Sequence, residues 1–234
     1  MDSSGAKSIK KAMRDERKKM MAANRQICAL VDKANSQSDP LEVLAPAFRI
    51  YKKNGLNVKI ECLKAADVED SKMDWCMNLL TENMKTAYEQ SDWGWKPAVK
   101  RAEMTEEGAW FLIACENPGE LAEQNNQSSP VAFSHFRFDT EDSLPVLYCY
   151  EIQIAANARS KGLGRFMMQI LEMLAFKNSM HKVMLTTFRS NKRAQNFFRK
   201  LKYTEDDISP EDDPSEDEYY CYDILSKSLL PKKQ

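Results

Sequence analysis

The run Glu151-Ile-Gln-Ile-Ala-Ala-Asn-Ala-Arg159-Ser-Lys-Gly162-Leu-Gly164-Arg165 decides how this chain is read. Residues 144–156, which end inside it, are rich in Tyr and Ile and read as a strand. Phe166, Met167, Ile170, Leu171 and Leu174 follow at helical spacing, so residues 165–177 read as an amphipathic helix. A strand that passes through a glycine-bearing turn into a helix can cradle an anion. Backbone N–H groups converge at the helix start, and the helix dipole favours negative charge there. Gly162 and Gly164 permit close approach to the backbone, while Arg159, Lys161 and Arg165 add positive charge. The spacing is neither that of a dinucleotide GxGxxG nor that of a Walker loop. Taken alone, the string also fits an ordinary tight turn.

Working outward, residues 183–188 read as a strand and 192–200 as a helix bearing Phe197 and Phe198. A last strand is expected over 219–225. Upstream, 110–116 and 131–139 read as strands around a polar loop, 117–130. Residues 74–90 read as a helix that Ser91-Asp-Trp93-Gly-Trp95-Lys-Pro97 ends, with a short helix over 97–106. Val58, Ile60 and Cys62 alternate with polar residues after a turn at Asn54-Gly55, which suits a strand. Residues 7–34 read as one helix whose apolar stripe, from Met13 and Met20 to Leu30 and Val31, strengthens toward its C-terminal half.

The 234 residues allow one large domain, or a domain with an extension. Apolar residues at 43% and charged residues at 29% exclude disorder throughout the chain. The 34 basic and 35 acidic residues nearly cancel, which argues against whole-chain affinity for nucleic acid. The cancellation is uneven. Residues 1–35 hold nine basic and four acidic groups, and residues 205–218 hold nine acidic and no basic ones. The acidic run reads as a solvated, disordered loop, or as an attractor for a basic peptide. The basic stretch 7–19 reads as a nuclear-entry signal or a wet helix face. None of the six cysteines forms a CxxC pair and only two histidines occur, so no metal site is expected. The first thirty residues lack an apolar core and no run of 18 apolar residues follows, so neither a secretory signal nor a membrane partner is expected. An intracellular protein with reduced thiols is the expectation.

Arg159-x-x-Gly162-x-Gly164 resembles the Q/R-x-x-G-x-G/A motif of the GCN5-related N-acetyltransferases. Asn191-x-x-Ala194-x-x-Phe197-Phe198-x-Lys200-x-Lys202-Tyr203 is similar to the motif those enzymes carry after the next strand. Phe198 stands where many members place an acid tyrosine, and Lys202 where they place a glycine. Longer strings resemble the N-alpha-acetyltransferase D (NatD) family: Tyr88-Glu-Gln-Ser-Asp-Trp93-Gly-Trp95, Pro130-Val-Ala-Phe-Ser-His135-Phe-Arg-Phe-Asp139, Leu147-Tyr148-Cys-Tyr150-Glu151 and Tyr222-Asp-Ile-Leu-Ser226. This resemblance spans about residues 22–226.

The resemblance implies an α/β fold: a mixed, mostly antiparallel sheet that splays after the 144–156 strand, flanked by helices, with an N-terminal helical extension. It divides the chain into an extension at 1–50, an acetyltransferase domain at 51–226 and a tail at 227–234. The implied activity is peptide alpha-N-acetyl transfer from acetyl-CoA to the N-terminal Ser of histones of the 2A and 4 classes. The implied protein works in cytoplasm and nucleus without an auxiliary subunit. Acetyltransfer to lysine or small amines, and a non-catalytic CoA- or histone-binding module, are the alternatives.

Glu151 sits inside an otherwise apolar strand, where burying a carboxylate is costly and hints at function. An amine must be neutral to attack a thioester, and the resemblance makes Glu151 its general base; a strand-edge Glu facing solvent is the plain alternative. Tyr150 is the candidate acid for the leaving thiolate, with Tyr222 or solvent as alternatives. Tyr88, Trp93, Asp139, Tyr148, Tyr150 and Tyr222 are the implied peptide contacts, although tyrosines and tryptophans also fill cores and Asp139 also suits a turn. Ile152, Gln153, Ile154, Arg159, Ser160, Lys161, Gly162, Leu163, Gly164, Arg165, Thr186 and Asn191 are the implied acetyl-CoA contacts. Strict alternation places Tyr148 and Tyr150 opposite Glu151, so a bulge is needed to unite them.

Overall fold

β3 (Trp110–Glu116) is buried along all but its last residue, with both faces covered, and the sheet is built around it. The computed structural model describes residues 3–117, 128–213, 215 and 218–229. The other strands are β1 (Ile50–Lys53), β2 (Leu56–Lys64), β4 (Pro130–Glu141), β5 (Leu144–Ile154), β6 (Lys182–Phe188), β7 (Thr204–Glu205) and β8 (Tyr222–Ser228). The described helices are α1 (Ser3–Asn35), α2 (Asp70–Glu89), α3 (Pro97–Met104), α4 (Leu163–Lys177) and α5 (Lys192–Lys200). The strand order is β1-β2-β3-β4-β5-β6-β8-β7. Every pairing is antiparallel except β5 with β6, which α4 joins as a crossover. This is the expected mixed, mostly antiparallel α/β fold.

The two sheet faces carry separate cores. On one face, Val58, Ile60, Leu112, Leu147, Cys149 and Val183 pack under α4, α5 and the end of α1. On the other, Phe111, Ile113 and Phe133 pack under Met73, Cys76, Leu79 and Leu80 of α2 and Met104 of α3. β5 and β6 pair only between Val146–Cys149 and Lys182–Leu185. Beyond that point they part, β5 staying with β4 and β6 with β8. The result is the expected splay.

A β-bulge lies at the parting. His135 pairs Glu151 and Phe136 pairs Cys149, so Tyr150 is an extra residue in β5. Leu147 and Cys149 face the α4 core, while Tyr148 faces away from it. The extra residue then keeps Tyr150, Glu151 and Gln153 on the same face as Tyr148.

α1 meets the sheet at its C-terminal end. Asn35 donates from Nδ2 to the Phe138 carbonyl at 3.0 Å and accepts from the Trp110 indole N–H at 3.1 Å. Met13, Met20 and Met21 of the expected stripe are exposed, so only its later part is core. β1 and β7 were not expected: they are four and two residues long, too short to show a period. β8 begins three residues after the expected start and runs to Ser228, past the expected domain boundary at 226. Residues 118–127 of the polar loop and 230–234 of the expected tail lie outside the described residues.

The acidic run meets its expectation in part. Most of its described acids are exposed, as a solvated loop requires, but the run is tied to the sheet at specific points. Asp206 is buried and accepts from the Lys182 ammonium at 2.6 and 2.9 Å, and Ile208 packs beside Val146, Tyr148 and Met184. Arg189 donates to Asp212 at 2.7 and 2.8 Å and to Asp223 at 2.5 Å. Cations on β6 and just after it thus draw part of the run onto the sheet. Pro214, Glu216 and Asp217 lie outside the described residues.

Burial alone would raise the Asp206 pKa, but Lys182, the Ser226 hydroxyl and the Ile208 N–H outweigh it and hold it below the ordinary value. A carboxyl depressed on folding stabilises fully above its unfolded pKa, and that stabilisation is lost as pH falls through the folded value. Urea unfolding of wild type and Asp206→Asn should therefore differ at pH 7, and the gap should shrink once the pH drops below about 4.

Candidate active site

The parting of β5 and β6 opens a cleft of about 1030 Å³. One end is the turn into α4. Gly162 is the N-cap of α4 with φ of 90°, a left-handed conformation that L side chains rarely adopt. A Cβ there would come within 2.6 Å of the Tyr51 hydroxyl, which donates to the Lys161 carbonyl at 2.6 Å. A Cβ on Gly164 would meet Ile154 Cδ1 at 2.8 Å. The turn therefore needs Gly162 for its conformation, while a side chain at Gly164 would require the tip of Ile154 to shift. Asn191 caps α5 across the cleft, accepting from the Ala194 N–H at 3.1 Å.

Glu151 lies where the strands separate and is 6% exposed. Its Oε1 pairs with the Lys100 ammonium at 2.9 Å and lies 3.5 Å from the Tyr88 hydroxyl. Its Oε2 accepts from Gln153 Nε2 at 3.0 Å. Burial opposes the charge on Lys100, yet Glu151, Tyr88 and Glu103 around it hold its pKa above that of an ordinary lysine. Lys100 is thus a fixed cation and not a proton acceptor. Burial, followed by the Glu151 charge, pushes Tyr88 up to about 12.

Tyr148 and Tyr150 lie side by side, ring centroids 4.8 Å apart, and the Tyr148 and Thr186 hydroxyls share a hydrogen bond of 2.6 Å. Burial pushes both tyrosines up to about 12, so at neutral pH each is a proton donor. His135 forms the plate beneath Tyr150, stacked between it and Phe111 at 5.2 and 5.4 Å. Burial, then Arg137 and Lys100, lowers its pKa to about 3, so the ring is neutral. Tyr88, Trp93 and Phe188 close the far end as an aromatic wall, with centroids 5.1 to 6.2 Å apart.

Most residues expected at the site border the cleft. At the α4 end these are Ile152, Gln153, Ile154, Arg159, Ser160, Gly162, Gly164, Arg165, Thr186 and Asn191, and toward the aromatic wall Tyr88, Trp93, Tyr148, Tyr150 and Glu151. Four expected residues do not line it. Leu163 is buried in the α4 core, so only its backbone faces the turn. The Lys161 carbonyl is engaged by Tyr51 and Asn54. Tyr222 stands behind Trp93, centroids 5.0 Å apart. Asp139 sits further along the Tyr148 face, within β4 opposite Val146, and its carboxylate accepts from the adjacent Thr140 N–H at 2.7 Å. It remains near enough for its charge to raise Tyr150. Trp95, from the same string as Trp93, packs on the α2 core.

Sequence reasoning missed Asn83, Lys100 and Glu103, which also border the cleft. Asn83 had a legible signal: it follows Cys76, Leu79 and Leu80 at helical spacing and interrupts their apolar stripe. Lys100 and Glu103 had none, since charges on a short helix ordinarily face water. Among the described residues no three His, Cys, Asp or Glu side chains converge as a metal site.

The model of the Acetyltransferase (GNAT) family matches residues 77–203, more than half of the chain. The chain belongs to this acetyltransferase family. Solved structures agree on the fold. An acetyltransferase from Streptococcus agalactiae is 16% identical with a TM-score of 0.54, matched over 74% of this chain and 98% of that one. A putative GNAT acetyltransferase from Desulfovibrio desulfuricans is 13% identical, TM-score 0.51, over 74% and 99%. A NatC complex bound to Gag peptide and CoA is 14% identical, TM-score 0.51, over 74% and 99%. In this GNAT chain Lys202 takes φ of 71°, a left-handed conformation that suits the glycine of the motif it resembles.

Gly162→Ala should lower unfolding free energy by roughly 1–3 kcal/mol, from left-handed strain and the clash with Tyr51. In a Tyr51→Phe background, where the obstructing oxygen is gone, urea titration should show a smaller loss.

Proposed function

We propose that this protein is a peptide alpha-N-acetyltransferase that moves acetyl from acetyl-CoA to the N-terminal Ser of histones of the 2A and 4 classes. The observation that carries the reading is the buried Glu151 carboxylate, set at the parting of β5 and β6 between the α4 turn and the aromatic wall. A carboxylate there can take the proton of an incoming amine, directly or through one water. The N–H groups of the Gly162–Arg165 turn and the α4 dipole suit the diphosphate of acetyl-CoA. The edge of β5 that β6 leaves unpaired beyond Cys149 suits its pantetheine arm. Strand N–H groups there stabilise the thioester oxyanion, and Tyr150 supplies a proton to the leaving thiolate. The NatC structure, with peptide and CoA on the same fold, supports a ternary complex of this kind.

Acidic groups just beyond the cleft, on the Tyr148 face of β4, suit a basic substrate. Burial raises the Glu141 pKa, and the neighbouring Asp139 charge raises it further. A substrate Arg placed between these carboxylates would relieve that repulsion, which fits a Ser-Gly-Arg-Gly terminus. The same reading has the enzyme act as a monomer without an auxiliary subunit, in cytoplasm and nucleus.

Incubation with acetyl-CoA and Ser-Gly-Arg-Gly peptides, free or N-blocked, tests the assignment. Mass spectrometry should find acetyl on the free α-amine only. Acetyl on a lysine of the blocked peptide would sink the assignment, and binding of CoA without turnover on any amine would favour a binding module. Glu151→Gln should lower kcat by roughly 10²–10⁴-fold, with CoA affinity retained in calorimetry.

A further inference from the structure

A continuous line of hydrogen bonds joins the α4 turn to Glu151. Arg159 donates from Nε to the Ile154 carbonyl at 3.0 Å, and from its terminal nitrogen to Asn83 Oδ1. Asn83 Nδ2 donates to Gln153 Oε1 at 2.9 Å. Gln153 Nε2 donates to Glu151 Oε2 at 3.0 Å. Gln153 is itself buried, and all four residues border the cleft.

The direction of this line is dictated by its ends. A guanidinium can only donate and a carboxylate can only accept. The two amides between them therefore have one orientation that satisfies every atom, with each NH₂ pointing toward Glu151. Gln153 lies next but one to Glu151 on the same strand, and the bulge at Tyr150 keeps both on one face. Asn83 comes from a different element, α2, and is the only link in the line that crosses to another layer of the fold.

We propose that Asn83 is a positioning residue for the acetyl transfer: it orients the Gln153 amide, which holds the Glu151 carboxylate in place beside Lys100, and it ties that arrangement to Arg159 of the turn. This rests on the reading of Glu151 as the general base. Lys100 holds Oε1 and Gln153 holds Oε2, so the carboxylate is gripped at both oxygens. Loss of the second grip leaves it free to swing about the Lys100 contact.

The test compares Asn83→Leu, Asn83→Asp, Glu151→Gln and the double variants with Glu151→Gln, in the full chain. Asn83→Asp is nearly isosteric and keeps the acceptor for Arg159. It has no donor for Gln153, whose amide must turn and present oxygen to Glu151. Both Asn83 variants should lower kcat by roughly ten- to a hundred-fold, with peptide KM and CoA affinity changed by less than about threefold. In the Glu151→Gln background the Asn83 changes should cost little more, because the group they position is gone. If Asn83→Leu fails to fold by circular dichroism, Asn83→Asp alone decides. A folded Asn83→Asp with wild-type kcat would overturn the proposal, as would a loss of equal size with and without the Glu151 carboxylate. Wild-type turnover by Glu151→Gln would instead remove the base reading, and Asn83 would then have nothing to position.

Discussion

β5 contains one residue more than β4 can pair, and that residue is Tyr150. A strand's side chains alternate, so a regular β5 would place Tyr148 and Tyr150 under α2 and α3 and turn Glu151 into the apolar core beneath α4. The extra residue resets the alternation at the point where β6 leaves. Tyr148, Tyr150, Glu151 and Gln153 then face one way. The α4 turn, the aromatic wall and Lys100 of α3 all reach the same cleft because β5 presents its polar groups to one side.

A buried carboxylate is tolerated only with partners. Lys100 reaches Glu151 from α3 and Gln153 reaches it from β5 itself. Lys100 in turn bonds Glu103 at 3.0 Å and lies 5.5 Å from the centre of the Tyr88 ring. Glu103 contributes its carbonyl to Arg137, whose guanidinium stands over Tyr150 at 5.2 Å. Positive and negative groups therefore alternate around the tyrosines. Removing Lys100 would leave Glu151 buried without its counter-charge, whereas the ion-pair partner of Arg137, Glu106, is exposed. A second polar centre sits around Arg189, where Asp212 and Asp223 anchor the described part of the acidic run beside β8.

Much of the fold was legible. Regular elements whose apolar period extends over several turns or strand residues were read nearly to their ends: 110–116 and 192–200 match β3 and α5, and 183–188 matches β6 to one residue. The short β1 and β7 were not, because four and two residues carry no period. The anchoring of the acidic run was missed for a different reason. Charge composition favours solvation, and the cations that bury Asp206 and hold Asp212 lie some twenty residues upstream, on and beside β6.

The glycine turn, the residue types lining the cleft and the family they resemble could be named from the chain alone, because turn geometry and periodicity are local properties. The partners of Glu151 could not. Asn83, Lys100, Gln153 and Glu151 come from α2, α3 and β5, and only the packing of two helices on one sheet face brings them within hydrogen-bonding distance. Tyr222 and Asp139 show the converse, since both belong to strings on which the NatD resemblance rests, yet Trp93 stands before one and strand register carries the other beyond the cleft. Local sequence set which chemical groups the chain possesses. Tertiary structure decided which of them share a site, because a one-residue bulge and the parting of two strands are properties of pairing that no single strand encodes.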